Sequence, residues 1–497
     1  MLLGIDLGTS SVKAVLFDPD SVQIVASAAH EYPIYHPMPD RAEQNPDDWW
    51  NATVNAVRQA ITRAGRSDVQ AIGLCGQMHG VTLLNAKKKP IGNSIIWADQ
   101  RSAAETRQLI ERFGAENYTQ ITGTLPAAGF MVSTLAWMQK HDRKTLESAR
   151  CVLLPKDVIR LMLTGEVATD ISDASATGMF DVLVKTWSAE IIHELDLPRS
   201  LFPPALESAA VAGSLTAKAA AALGLKTGIP VVAGCADQPA QALANGLIAP
   251  GRASITIGSG GQVFTPVLPL VNGSISLKTD SRLHVFNHAV PGVWYILGAI
   301  LSAGLSLRWL RDLFKTDYAT LSAEAASVPA GANGLIFLPY LSGERTPHMD
   351  AHARGGFIGL TAIHGRGHLA RAIMEGVAFA MHEALDISLG LGGQVDRVIT
   401  AGGGAESDVW RHILADVLNV PLQKSLLTES TGIGAALLAG IGAGVYKNAE
   451  SAAATAAYGE ITEPDANLHA YYVNLYREYQ SLYPRLKDNF HRLAELE

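Results

Sequence analysis

The chain has 497 residues, of which 48% are hydrophobic and 17% charged, enough for at least two cores and without the composition of a disordered chain. Its 39 Lys and Arg against 47 Asp and Glu leave a net charge of −8 and no basic stripe, which argues against nucleic acid as the main partner. Three cysteines, Cys75, Cys151 and Cys235, lie far apart, without disulfide-framework or zinc-ribbon spacing, and suit the reducing cytoplasm.

The start, Met1 to Asp6, has no basic n-region and meets a charge at once, so no signal peptide is expected. Residues 2–7 read as an apolar strand, 8–11 as a turn and 12–17 as a second strand, together a β-hairpin. Its tip offers consecutive backbone N–H groups with the hydroxyls of Thr9, Ser10 and Ser11, and Lys13 follows. Such a nest suits phosphate oxygens. Asp6 would repel phosphate unless a cation lay between, which points to Mg2+ held through water. A plain hairpin turn with an exposed Asp is the competing reading.

Residues 49–64 and 103–113 read as helices, with Trp49 and Trp50 as packing residues. Strands are expected at 71–74, 151–154 and 229–233. The loop 73–80 ends the first of these. Its Gln77 and His79 can hydrogen-bond hydroxyls and Met78 can give apolar contact, although a solvent loop fits too. After strand 229–233 comes Gly234-Cys235-Ala236-Asp237-Gln238-Pro239. Pro239 suits the first helical position, which places Asp237 at the carboxyl end of a strand, where α/β sheets bind ligands. Near a helix N-terminus Asp237 is expected to stay ionised. As a weak base it would suffice for phosphoryl transfer, where positioning dominates. An N-cap role is the alternative.

Turn signals at 245–251 mark a domain boundary. Beyond it, strand 253–257, turn Gly258-Ser259-Gly260-Gly261 and strand 262–267 repeat the opening hairpin. Helices follow at 305–313, 369–389 and 409–418, with strands at 336–338 and 398–401. The second of these runs into Gly402-Gly403-Gly404, a surface on which a purine and its ribose could lie. The uncharged run 432–446 is too short and glycine-rich to span a bilayer and reads as a buried helix. The tail 467–497 reads as a packing helix. His284, His288, His348 and His364 lack metal-ligand spacing and are read as structural. The strand–helix alternation implies mostly parallel sheets with helices on both faces. The repeated hairpin implies two similar α/β domains, 1–245 and 246–497, with the two tips facing one cleft.

Several segments together resemble the FGGY carbohydrate kinase family, and within it the xylulokinases, almost end to end. They are Gly4-Ile5-Asp6-Leu7-Gly8-Thr9-Ser10, Gly76-Gln77-Met78-His79-Gly80, Leu154-Pro155-Lys156-Asp157, Tyr340-Leu341-Ser342-Gly343-Glu344-Arg345-Thr346-Pro347-His348, and residues 355–375 with Gly359, His368, Leu369 and Ala372. The resemblance implies two actin-like, ribonuclease H-like α/β domains flanking a central cleft. It also implies a cytoplasmic, ATP- and Mg2+-dependent conversion of D-xylulose to D-xylulose 5-phosphate. By motif position Asp237 would be the catalytic base and Asp6 would serve Mg2+. Thr9, Ser10, Ser11, Lys13, Gly258 and Ser259 would face the phosphates, Gly304 and Arg308 would contact the nucleotide, and Gly404 and Asp408 would form the adenosine pocket. Gln77, Met78, His79, Asp237 and Gln238 would bind the sugar. The implied partners are a small sugar and ATP, with neither nucleic acid nor membrane, and a homodimer is one open option.

Three positions depart from the family pattern. Gln238 stands where many xylulokinases carry Asn. Gly258-Ser259-Gly260 replaces a frequent Gly-Thr-Ser. Thr134 stands where the first family signature usually has Lys. The first two leave the sugar and the phosphate contacts open, with ribulose, a deoxyketose or another polyol as alternative acceptors, and the third touches no nameable chemistry. A non-sugar actin-like ATPase is the remaining alternative, and Gln77-Met78-His79 with Asp237, aimed at a second ligand, speaks against it.

Overall fold

A computed structural model describes residues 1–271 and 274–496. The last residue of the expected tail, Glu497, lies outside them. Both hairpins form: Leu2–Leu7 pairs antiparallel with Ser11–Asp18, and Gly251–Ile257 with Gly261–Val267. Each hairpin is extended by the same rule. A parallel strand joins its first strand, Ala71–Gly76 in one domain and Val395–Ala401 in the other. An antiparallel strand joins its second, Gln23–Glu31 and Trp294–Ile300 respectively. Each domain thus carries a seven-stranded sheet built around an equivalent three-strand-plus-one core.

The pairing is mixed, not mostly parallel as the strand–helix alternation implied. A short turn can join only antiparallel neighbours, and each domain opens with one. Two expected strands lie outside the main sheets: Cys151–Leu153 pairs with Thr82–Leu84, and Ile336–Leu338 with Gly356–Ile358. The strand Gln23–Glu31 was not read from the sequence, because its mostly exposed pattern gives little hydrophobic signal.

All six residues of Leu2–Leu7 are buried, since helices cover both faces. Leu3, Ile5 and Leu7 pack with Trp49, Ala52 and Ala56 of the Pro46–Ala64 helix. The alternate residues face the other way, where Leu2 shares a core with Ile433, Ala435 and Ala436. That second cover is the Ser430–Gly442 helix, reached only after the chain has built the second sheet. Its small residues serve close approach. A Cβ on Gly4 would lie 1.9 Å from the Gly432 carbonyl oxygen, and one on Gly434 would lie 1.9 Å from that of Ala240. The uncharged run is therefore the helix that locks the second half of the chain onto the first sheet. Among the described residues no helix is long and apolar enough to cross a membrane. In the second domain the Arg366–Gly390 helix fills the core. The tail helix Ala466–Ala494 lays Tyr472, Tyr476, Tyr479 and Tyr483 against it at helical spacing. All three cysteines are free.

Candidate active site

Asp237 is the first residue of the Asp237–Ala244 helix, with Ala236 as N-cap, so Pro239 is third in the helix and not first. The preceding Cys235–Ala236 still pairs with Cys75 and Gly76, so strand runs directly into helix. The Asp237 carboxylate interacts with Gln238 and its own amide at the helix start, yet its Oδ1 is enclosed without a partner. Burial, and then the Asp6 carboxylate, push its pKa up to about 7. The expectation of a plainly ionised group fails because desolvation outweighs the helix terminus here.

The loop before this helix is pinned from below. Ser172 Oγ accepts from the Ala236 amide at 3.2 Å and donates to Asp170 Oδ2 at 2.6 Å. Lys156 Nζ, wholly buried, lies 2.7 Å from Asp157 Oδ1, 2.8 Å from Asp170 Oδ1 and 3.3 Å from Asp173 Oδ2. This buried ionic cluster was not read from the sequence, since its members look like ordinary helix charges.

Asp237 opens on a cavity of about 180 Å³ whose first-half wall also holds Thr9, Gln77, Met78, His79 and Gln238. The second half supplies Gln262, His284 and Arg345 to the same cavity. His284 is thus no merely structural histidine. It sits on the edge strand His284–Asn287, where one face meets the cavity, and spacing alone carried no signal for that. His79 holds a left-handed backbone conformation, φ 73°, and stacks on Phe130 at 3.8 Å. Its Nδ1 lies 2.6 Å from the Ala176 carbonyl oxygen. A carbonyl only accepts, so Nδ1 carries the proton and Nε2 is an acceptor. His284 follows the same logic. Thr124 gives its hydroxyl proton to Leu125 O at 3.0 Å, so His284 Nδ1, 2.7 Å away, donates to Thr124. Burial lowers the pKa of each ring to about 3. Both therefore present a neutral imidazole acceptor, suited to sugar hydroxyls. Gln77 donates to Gln44 Oε1 at 2.8 Å, leaving its own Oε1 buried and unpartnered. Gln44 also accepts from Trp49 Nε1 and donates to Thr9 O, tying the sugar loop to the first hairpin tip. No sequence signal marked Gln44.

A second cavity, about 460 Å³, lies wholly in the second half. Gly258, Ser259, Gly304, Arg308 and Gly404 line it, together with Tyr318. Gly304 donates to Gly258 O at 2.9 Å and Leu305 to Ser259 O at 2.9 Å, so the Gly304–Phe314 helix starts on the hairpin tip. A Cβ on Gly304 would lie 2.3 Å from Gly258 O, and one on Gly404 would lie 2.3 Å from Ile257 Cγ2. Only glycine allows either approach. Asp408 is not brought to this cavity. Ser407 caps the Asp408–Leu418 helix, and the exposed Asp408 carboxylate pairs along it with Arg411 at 2.8 Å.

Ser10, Ser11 and Lys13 line neither cavity. At their hairpin tip Gly8 donates to Ser11 O at 3.0 Å, while the amides of Thr9 and Ser10 make no backbone hydrogen bond. Lys13 Nζ pairs with Glu429 Oε2 at 3.0 Å. Asp6 accepts from Thr431 Oγ1 at 2.5 Å, and burial raises its pKa in spite of that bond. No group of three or more His, Cys, Asp or Glu that could hold a metal exists among the described residues. Mg2+ needs only one or two carboxylates beside water and phosphate. Asp6 and the unpartnered Oδ1 of Asp237, whose pKa the Asp6 charge raises, fit that requirement.

Comparison with known proteins agrees with this arrangement. The N-terminal domain model of the FGGY family of carbohydrate kinases matches residues 1–244, and the C-terminal domain model matches 254–443. A xylulose kinase of Escherichia coli is 36% identical over 488 residues, covering 98% of this chain and 99% of its own. One of Bacillus subtilis is 33% identical over 497 residues, covering 98% and 97%. The crystal structure of xylulose kinase from Rhodospirillum rubrum superposes with a TM-score of 0.92 at 33% identity, covering 99% of each chain. Two hairpin-led domains of actin-like fold, one cavity shared around a carboxylate and one built of glycine turns, with both family models matched in order, mean that this chain belongs to the FGGY family of carbohydrate kinases.

Proposed function

We propose that this kinase phosphorylates D-xylulose to D-xylulose 5-phosphate with ATP and Mg2+. The observation that carries the reading is the shared cavity, where an unpartnered Asp237 oxygen faces two neutral histidine acceptors and Gln77. The full-length similarity to xylulose kinases supports the choice of sugar.

In this reading residues 1–245 hold the sugar and the base, and residues 246–497 hold the nucleotide on Gly258, Ser259, Gly304, Arg308 and Gly404. Ionised Asp237 orients the sugar's terminal hydroxyl and takes its proton as the oxygen attacks the γ-phosphorus, while ADP leaves with the bridging oxygen's electrons. Gln77, Met78, His79 and Gln238 orient the rest of the sugar. Thr9, Ser10, Ser11 and Lys13 approach the phosphates from the opposite side. Asp6 would hold Mg2+ through water, and the ion would neutralise charge developing on the phosphate oxygens. Gln238 keeps a second acceptor, such as ribulose or a polyol, in play. ADP release measured over a panel of ketoses and polyols tests the proposal. Turnover highest with D-xylulose is expected, and a higher kcat/KM for another acceptor would replace it.

A further inference from the structure

Arg345 faces the sugar cavity, and its guanidinium has neither an ion pair nor a hydrogen bond among the described residues. Its neighbour Glu344 raises its pKa through space but makes no ion pair or hydrogen bond with the guanidinium. Glu344 Oε1 accepts from the amides of Leu301 at 2.9 Å and Arg345 at 2.8 Å, its Oε2 is buried without a partner, and burial raises its pKa to about 8. A guanidinium stays charged even where burial disfavours it, as it does here. A charged guanidinium that lines the cavity without a direct protein partner is available to the oxygens of a ligand.

The backbone says which end of the ligand that is. Thr346 donates to Ala299 O at 3.0 Å, which fixes Arg345 beside the Trp294–Ile300 strand, on the second-half wall. Asp237 stands on the first-half wall. The charge of Arg345 is felt by His79 and His284, whereas the chief charge felt by Asp237 is that of Asp6. A sugar with its reacting hydroxyl at Asp237 can reach Arg345 with its other end across the same cavity.

We propose that Arg345 binds the end of the substrate remote from Asp237, donating two N–H bonds to a pair of oxygens there. In a ketose the pair is the carbonyl and the adjacent hydroxyl. In an aldonate of the same length it is the two carboxylate oxygens, which match the planar fork best. The cavity thus takes five-carbon sugar acids as competitive ligands and discriminates against polyols, which lack the carbonyl. This rests on the sugar-kinase reading of the cavity above.

Calorimetric titration of the full chain with D-xylulose, D-xylonate and xylitol tests it, in wild type, Arg345→Gln and Arg345→Lys. Wild type should bind D-xylonate in competition with D-xylulose, and xylitol most weakly. Arg345→Gln should weaken D-xylonate by about 100-fold and D-xylulose by about tenfold, and leave xylitol within about twofold. Arg345→Lys, which lacks the fork, should restore D-xylonate only in part. ADP titration of the second cavity reports whether each variant is folded. Equal weakening of all three ligands in a folded variant, or no D-xylonate binding to wild type, would overturn the proposal. D-xylonate binding without D-xylulose turnover would keep it and remove the xylulose reading.

Discussion

Asp237 meets opposed demands. Its enclosure raises its affinity for a proton, which makes it a better base once ionised but leaves it partly protonated at neutral pH. With a pKa of about 7, kcat/KM should fall as pH drops through about 7, in a single-proton limb absent from nucleotide binding. Asp237→Asn should lower turnover by ~10²–10⁴ while ATP still binds. The same residue costs stability. Between its unfolded pKa near 4 and about 7, the folded chain holds a proton that the unfolded chain has released, so this group's contribution falls as pH rises through that window. Asp237→Asn should therefore melt at a higher temperature than wild type, with a gain greatest above pH 7 and fading toward pH 4. A lower melting temperature at pH 8 would mean that the carboxylate is stabilised by groups not seen here. Asp6→Ala makes the complementary case. It removes the acceptor of the Thr431 hydroxyl and the phosphate-side carboxylate, but no residue of the sugar cavity. Its Mg2+ requirement should rise while sugar affinity changes little, and a titration with the opposite result would exchange the roles of the two aspartates.

At the scale of elements, the Ser430–Gly442 helix matters more than its plain sequence suggests. It touches the first sheet through Gly432 and Ala435, the Asp237 helix through Gly434, and Asp6 through Thr431. Gly434→Ala must displace the Ala240 carbonyl or the whole helix, since the added Cβ would lie 1.9 Å from that oxygen. The expected cost is about 1–3 kcal/mol, read by denaturant unfolding, with a fall in turnover because Ala240 and Asp237 share one helix. A variant as stable and active as wild type would show that the packing is looser than drawn. This helix also shows what the sequence could and could not reveal. Its apolar, small-residue run announced a buried helix, and the Gly-plus-hydroxyl turns announced the hairpins, because both are local signals. Its partner strands Leu2–Leu7 and Ala71–Gly76, more than 350 residues away along the chain, were invisible. So were the roles of His284 and Gln44, which arise only when distant segments meet. Asp408 errs the other way: it matched a motif position, yet in the fold it follows its own helix to Arg411.

For the whole molecule, the two cavities pose a distance problem. The nucleotide cavity is built wholly by the second half, whereas Ser10, Ser11 and Lys13 line neither cavity and stand on the first-half hairpin. Both hairpin tips can touch one triphosphate only if the halves approach, and in-line transfer needs the hydroxyl within ~3–3.5 Å of the γ-phosphorus. Closure would also exclude water, which competes as acceptor. The motion has a seam to follow. The Ser430–Gly442 helix is packed backbone-close on the first sheet, so it must travel with that domain. Its connections to the second sheet, near Leu422–Ser425 on one side and Tyr458–Thr462 on the other, must then absorb the rotation. Small-angle scattering should show a smaller radius of gyration with D-xylulose and a non-hydrolysable ATP analogue together than with either alone. Lys13→Ala, which breaks the 3.0 Å pair with Glu429 without touching either cavity, should leave binding of each ligand alone intact and weaken the compaction. An unchanged radius with both ligands demonstrably bound would mean that the transfer site is preformed and that the first hairpin reaches the phosphates without domain movement.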